Sequence, residues 1–262
     1  MQYSTATKPS SPKSSEYADG FAIRCENVAK RFYHYSHRTK SLRELFIRAA
    51  KRQRIGAPAA EFSLDEFNLD IRHGEAVALI GRNGSGKSTI LRLIAGIYSP
   101  SQGVIETRGR LTAVIELGTG LNPELTGSEN VALYGAIMGL SHRQLERLFP
   151  EIVGFADIGP FIDEPVKYYS SGMQARLAFA VAICAKPQIL LVDEVLAVGD
   201  ESFRARCLLR ITDFLNHGGT LVVVTHDLEQ VASLCPRTIW MDNGRMKMDG
   251  DTESVIAEYK AG

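Results

Sequence analysis

The chain has 262 residues, 45% of them hydrophobic and 23% charged, and its 30 basic and 30 acidic side chains cancel to a formal net charge of +0. That length suits one large α/β domain or two small ones, and the charge balance excludes a surface built throughout to neutralise phosphates, so any anion-binding role has to be local. Cys25, Cys184, Cys207 and Cys235 stand far apart with no Cys-x-x-Cys pair, which fits a reducing cytoplasm better than a disulfide framework, and no run of about 18 apolar residues is present to cross a bilayer as a helix.

Residues 1–20, "MQYSTATKPSSPKSSEYADG", are rich in Ser, Thr and Pro without an apolar core; they read as a disordered tail and not as a secretory signal. "FAIRCENV" (Phe21 to Val28) alternates as a strand does. "SLRELFIRAAKRQR" then has Ser41 and Glu44 spaced as a capping box, with Leu42, Leu45, Phe46, Ala49 and Ala50 on one face. Arg43, Arg48, Lys51, Arg52 and Arg54 crowd the other side of this basic amphipathic helix, the centre of an insertion over about 36–58. "EFNLDI" (Glu66 to Ile71) is a second alternating strand, and "EAVALIG" is continuously apolar, as a central strand covered on both faces is.

"STILRLIAGI" follows as a helix and "GRLTAVIEL" as a strand. From about 117 to 175 the spacing is helical, with Ser141 and Gln144 forming a capping box, and no strand-like run appears until "QILLVDE". This pattern implies a helical subdomain inserted into an α/β core. "GMQARLAFAVAICA" leads back as a small-residue helix, and "TLVVVTHD" is another buried strand. "TIWMDNGRMKMDG" is a hairpin whose Asn243-Gly244 suits a type I′ turn, before a short surface helix in "TESVIAEYKAG". The expected fold over 21–262 is therefore α/β, with a mixed-sheet core, antiparallel N-terminal β elements and the helical insertion.

"GRNGSGKST" (Gly81 to Thr89) fits G-x-x-x-x-G-K-[ST] between a predicted strand and a predicted helix. Gly81, Gly84 and Gly86, with Arg82, Asn83 and Ser85 between them, allow a tight loop whose N–H groups meet phosphate oxygens, and the helix start adds its positive end. Lys87 can reach the β- and γ-phosphates, and Ser88, next to Thr89, can ligate Mg²⁺. "ILLVDE" places Asp193 at the carboxyl end of a buried strand, where Mg²⁺ can be held, and puts Glu194 beside it as a proton acceptor for water. His226, after "TLVVVT", can contact the γ-phosphate; its bland alternative is a capping or buried histidine.

In this order the motifs resemble those of an ABC-transporter ATP-binding subunit, a P-loop NTPase, over roughly residues 21–250. "YSSGM" (Tyr169 to Met173) is similar to the family signature LSGGQ: Ser170 and Gly172 match, while Tyr169, Ser171 and Met173 depart. Arg176 matches an arginine just after that signature. Asp200 in "AVGD" matches the family's D-loop, with Ala197 where a serine is usual, and Glu116 stands where a Mg²⁺-touching glutamine is usual. Phe32 matches an adenine-stacking aromatic, with Tyr33 and Tyr35 as competitors. The resemblance implies ATP and Mg²⁺ as cofactors and a homodimer in which Ser170, Ser171 and Gly172 of one subunit grip the nucleotide on the other.

The motif details look most like the subfamily that exports polysaccharides: O-antigens, capsules and teichoic acids. That resemblance implies a separate transmembrane permease, a lipid-linked glycan as cargo, no nucleic-acid partner, and work at the cytoplasmic face of the bacterial inner membrane. The carbohydrate-binding domain that some members carry at the carboxyl end is not expected here. On this reading the basic helix sits at the transporter entrance or docking face; the bland alternative is a surface helix packed on the core by its apolar stripe. The rival reading is a non-transport ATPase of the same superfamily that acts on nucleic acid or as a regulatory switch.

Overall fold

Two β-sheets divide the strands, and the computed structural model describes residues 20–34, 59–115, 120–193 and 200–261. Residues 1–19 of the expected tail, the expected basic helix Ser41 to Arg54, Tyr35, Glu116, Glu194 and Ala197 lie outside the described residues. In chain order the first elements are β1 (Phe21–His34), β2 (Ala59–Arg72), β3 (Ala76–Ile80), α1 (Lys87–Ile94), β4 (Gln102–Thr107) and β5 (Leu111–Val114). Then come α2 (Gly127–Ile137), α3 (His142–Ala156), two short 3₁₀ turns, α4 (Ser171–Cys184) and β6 (Ile189–Asp193). The chain closes with α5 (Glu201–Asn216), β7 (Thr220–Val224), α6 (Leu228–Leu234), β8 (Arg237–Asp242), β9 (Arg245–Asp251) and α7 (Thr252–Ala261).

β1 pairs antiparallel with β2 on one side and β4 on the other. Both long strands run past their expected limits, because register shifts interrupt the alternation that would have revealed their full length. Asn27 and Glu66, each at φ 49°, lie at these irregular positions. β4 gave no sequence signal: only Ile105 is half-buried and its other five residues are exposed, so no two-residue alternation exists to read.

The second sheet has the order β5-β6-β7-β3-β8-β9, parallel except for the final hairpin strand. All five residues of β3 and all five of β7 are buried, as expected for strands covered on both faces. Along β3, Ala76, Ala78 and Ile80 enter one core with Leu177, Phe179 and Val181 of α4. Val77 and Leu79 enter the other, with Ile90 and Leu91 of α1 and with Ile23, Phe67 and Ile71 of the first sheet. The six-stranded sheet thus separates α4 from α1 and anchors both.

Between β5 and β6 the described residues form helices and 3₁₀ turns and no strand. Thr126 and Glu129 start α2 with a reciprocal capping box, and the Ser141 N–H donates to Gln144 Oε1 at 2.9 Å at the start of α3. α4 buries nine of its fourteen residues, which accounts for its run of small apolar side chains. The sequence reading assigned no element to α5 or α6. In α5 the buried stripe is one residue per turn, Phe203, Cys207 and Ile211, too narrow among its arginines to stand out.

Candidate functional site

The register of the central sheet builds the site. Asp193 of β6 is level with Val224 of β7, and Val224 is level with Leu79 of β3. Two residues beyond Leu79 the chain enters Gly81, and two beyond Val224 it reaches His226. Neighbouring parallel strands therefore bring the phosphate-type loop, Asp193 and His226 to one carboxyl edge, where open α/β sheets bind their ligands.

The loop is tight and supported from behind. Gly81 has φ +143°, and a Cβ there would run into the Met241 carbonyl, so only glycine fits. Ser85 N–H donates to the Arg82 carbonyl at 3.1 Å, and the Ser85 carbonyl accepts from Gly244 N–H at 3.0 Å. Asn243 and Gly244 have φ 47° and 76°, the two left-handed residues of a type I′ turn, and the Gly244 carbonyl accepts from Asp65 N–H at 3.0 Å. The hairpin expected from the Asn-Gly pair thus also props the loop. Its role escaped sequence reading because the contact spans most of the chain.

Inside the loop, Lys87 is 5% exposed, and its Nζ donates to the Gly81 and Arg82 carbonyls at 2.8 and 3.0 Å. α1 begins from Gly86 in a left-handed conformation, with no side-chain cap and no acid in its first turn. The Ser85 hydroxyl is buried without a hydrogen-bond partner among the described residues. An ammonium, an uncapped helix start and an orphaned hydroxyl form a donor set matched to phosphate oxygens. Arg82, Asn83 and Gly84 are exposed at the rim, while Ser88 and Thr89 are half-buried on α1.

For a magnesium ion the residues in place are the Ser88 hydroxyl and the half-buried Asp193. Among the described residues no group of three or more His, Cys, Asp or Glu could hold a metal. Magnesium does not require one, since it uses one or two carboxylates with phosphate oxygens and water, and the residues fit that mode. His226 is exposed, between Thr225 and Asp227. Thr225 Oγ1 accepts from Asp227 N–H at 3.1 Å, and Asp227 caps α6 through Glu229 and Gln230 N–H groups.

Phe32 lies on the other sheet and meets Tyr98 edge-on, with centroids 5.5 Å apart. Lys30 Nζ stands 5.2 Å from one ring and 5.4 Å from the other, and it donates to the Ser99 carbonyl. Tyr98 was not singled out in the sequence and has no motif of its own. A larger hollow of about 560 Å³, lined by His73, Glu151, Phe214 and His217, opens at the amino ends of β6 and β7, away from these groups.

Ser170, Ser171 and Gly172 stand apart at the start of α4. Ser170 Oγ accepts from Met173 N–H at 3.2 Å, leaving its own proton to donate elsewhere. Ser170 and Ser171 are exposed, and among the described residues a Cβ on Gly172 would meet only Ser170 Oγ, at 3.8 Å. Asp200 caps α5: Oδ1 accepts from Phe203 N–H and Ser202 Oγ, each at 2.8 Å, and Oδ2 accepts from Arg176 Nη2 at 2.6 Å. The Phe203 N–H, then Ser202 and Arg176, hold this carboxyl below the ordinary carboxylate range.

The family model described as ABC transporter matches residues 64–197. An O-antigen export system ATP-binding protein of Klebsiella pneumoniae is 40% identical over 238 residues, 91% of this chain and 97% of that protein. A teichoic acids export ATP-binding protein of Bacillus cereus is 39% identical over 241 residues, 92% of this chain but 43% of its own length. Among solved structures, the ATP binding subunit of an ABC transporter superposes with a TM-score of 0.73 at 22% identity, over 91% of this chain and 93% of that one. A dimeric post-hydrolysis ATP-binding cassette bound to ADP and Pi gives 0.71 at 23%, over 88% and 98%.

Proposed function

The chain belongs to the ABC transporter family, and from that premise we propose that it drives export of a lipid-linked glycan of the O-antigen, capsule or teichoic-acid type. It hydrolyses ATP as a family member; the permease is a separate protein, and the two meet at the cytoplasmic face of the bacterial inner membrane. The observation that carries the cargo is 40% identity to an O-antigen export ATP-binding protein across 97% of that protein's length. Among the described residues no helix is long and apolar enough to cross a membrane, consistent with a path supplied by another chain.

The working unit is a homodimer that closes head to tail on two ATP molecules. Lys87 Nζ, which donates to two loop carbonyls, also directs its charge and N–H groups to the β- and γ-phosphates when nucleotide binds. The loop N–H groups and the uncapped start of α1 hold the same oxygens, with Arg82, Asn83 and Thr89 at the margin. Phe32 stacks the base. Mg²⁺ supplies charge neutralisation at the phosphates when bound, with Ser88 and Asp193 as the residues that would hold it and Glu116 a third candidate. Glu194 takes the proton of the attacking water as its oxygen bonds to the γ-phosphorus and the bond to the ADP oxygen breaks, while His226 orients the water. The partner subunit's Ser170 donates its hydroxyl proton to the γ-phosphate, and the partner subunit's Ser171, Gly172 and Asp200 line the same seam.

Measurements on the enzyme and in cells test this. Glu194→Gln lowers ATP turnover about 10²–10⁴-fold, as loss of general-base assistance does, with nucleotide affinity unchanged in a fluorescent-nucleotide titration; near-normal turnover removes Glu194 from the role. Affinity purification from detergent-solubilised membranes recovers a polytopic permease, and cells without the chain accumulate undelivered glycan on its lipid carrier. Recovery of nucleic acid in place of a permease overturns the export reading.

A further inference from the structure

Four charged side chains and one aromatic ring lock three helices together beside the exposed start of α4. Asp157 ends α3 in a left-handed conformation, φ 51° and ψ 50°. Its Oδ2 accepts from Arg206 Nη2 of α5 at 3.0 Å, and its backbone carbonyl accepts from Arg176 Nη1 of α4 at 3.4 Å. Arg176 uses its other nitrogen on Asp200, the cap of α5. The connection therefore leaves α5 at Asp200, passes through α4 and the end of α3, and returns to α5 at Arg206.

The middle of this circuit is filled by Phe203. Its ring is 2% exposed, and the guanidinium carbons of Arg176 and Arg206 lie over it at 5.2 and 5.4 Å, within the range of cation–π attraction. Phe155 of α3 and Phe179 of α4 pack on the same ring at 5.6 and 6.3 Å, and on each other at 6.0 Å. One turn further along α5, Arg210 pairs with Glu151 of α3. Each arginine is thus held by a carboxylate on a different helix, and the ring beneath removes the freedom either would have on an open surface.

We propose that Asp157, Arg176, Phe203 and Arg206 form a joint that makes the beginnings of α4 and α5 one rigid body, with Asp157 and Arg206 as its positioning residues. Ser170 to Gly172 and Asp200 then reach the second nucleotide together, and neither can engage without the other. This rests on the reading that both segments face ATP bound to the partner. Asp157 and Arg206 touch no nucleotide themselves. Their loss therefore lowers turnover, because the pair of segments arrives out of register, and leaves ATP capture by Lys87 and its loop alone.

The test uses Asp157→Asn, which keeps a residue type tolerant of the left-handed conformation, Arg206→Gln, and the two combined. Each single variant lowers kcat roughly 10-fold, as misplaced reacting groups do, at unchanged KM for ATP. The double variant is no slower than either single one, because both break one connection. Independently of catalysis, spin labels on Arg143→Cys in α3 and Leu209→Cys in α5 give one narrow distance with or without ATP, and the distance broadens in Asp157→Asn. An unchanged distance in that variant, an activity loss that merely follows the fall in Tm, or a raised KM at constant kcat overturns the joint. Retained turnover in Lys87→Ala instead defeats the site reading, and the label distances then judge the joint by themselves.

Discussion

Two helix beginnings in this chain are suited to phosphate, and they are built in opposite ways. The start of α1 is enclosed: Ser85, Gly86 and Lys87 are buried, Gly81 is pressed against Met241, and the β8–β9 turn holds the loop from outside. The start of α4 is open: Ser170 and Ser171 are exposed, and among the described residues nothing beyond Ser170 comes near a Cβ at Gly172. A glycine with no packing or backbone reason to be glycine, at an exposed helix start, is suited to close approach by something outside the chain. On the proposed reading, one beginning is a half-site held within the chain and the other is a surface that is completed in a dimer.

The largest contrast comes from adding the same methyl group to each. Gly81→Ala forces a clash and a strained φ in the enclosed loop; it costs roughly 2–4 kcal/mol of stability and abolishes ATP binding, read by thermal melting and nucleotide titration. Gly172→Ala has room and replaces glycine by a better helix former, so the melting temperature holds or rises, by up to about 1 kcal/mol in stability. ATP turnover nevertheless falls on the proposed reading, in which the methyl group stands where the partner's nucleotide approaches. A Gly172→Ala protein with full turnover makes the open beginning an ordinary surface turn.

Chemical labelling gives a finer distinction. Burial pushes the four thiols up, Cys184 to about 11 and Cys25, Cys207 and Cys235 to about 12, so the folded chain presents little thiolate at neutral pH. Ser171→Cys therefore reacts alone with a maleimide, quickly without nucleotide and slowly with ATP under conditions of dimer closure. Equal rates in both states count against a closing seam. The smallest effect belongs to the basic stretch that the sequence alone suggests is a helix: neutralising Arg48, Lys51, Arg52 and Arg54 leaves basal ATP turnover unchanged and lowers export in cells. Raised thiolate at high pH also sets a stability limit: each thiol keeps its proton more firmly folded than unfolded, so stability is full below pH 9 and falls as pH rises toward 11–12.

The parts of the site that were legible in the sequence are those whose physical requirement is local. Gly81 to Ser88 must shape a loop and start a helix within a few residues, and Asp193 must end a buried strand, so both leave patterns. The register that sets Asp193 beside Val224 and Leu79 was implied only by the continuous apolar runs. Props from a distance left no trace: Gly244 under Ser85, Tyr98 beside Phe32, and Arg206 on Asp157 join residues whose types are ordinary at their own positions. β4 and α5 were missed for a related reason, since an exposed edge strand and a one-residue-wide stripe carry too little periodicity to read.

The prop beneath the phosphate loop also bears on how the protein is made. β8 pairs with β3, and the Gly244 N–H reaches the Ser85 carbonyl, so a hairpin much later in the chain braces this earlier loop. During synthesis from the amino end, the loop emerges long before the residues that brace it. A nascent chain on the ribosome therefore carries the letters of the loop without its cradle until the hairpin of β8 and β9 has appeared.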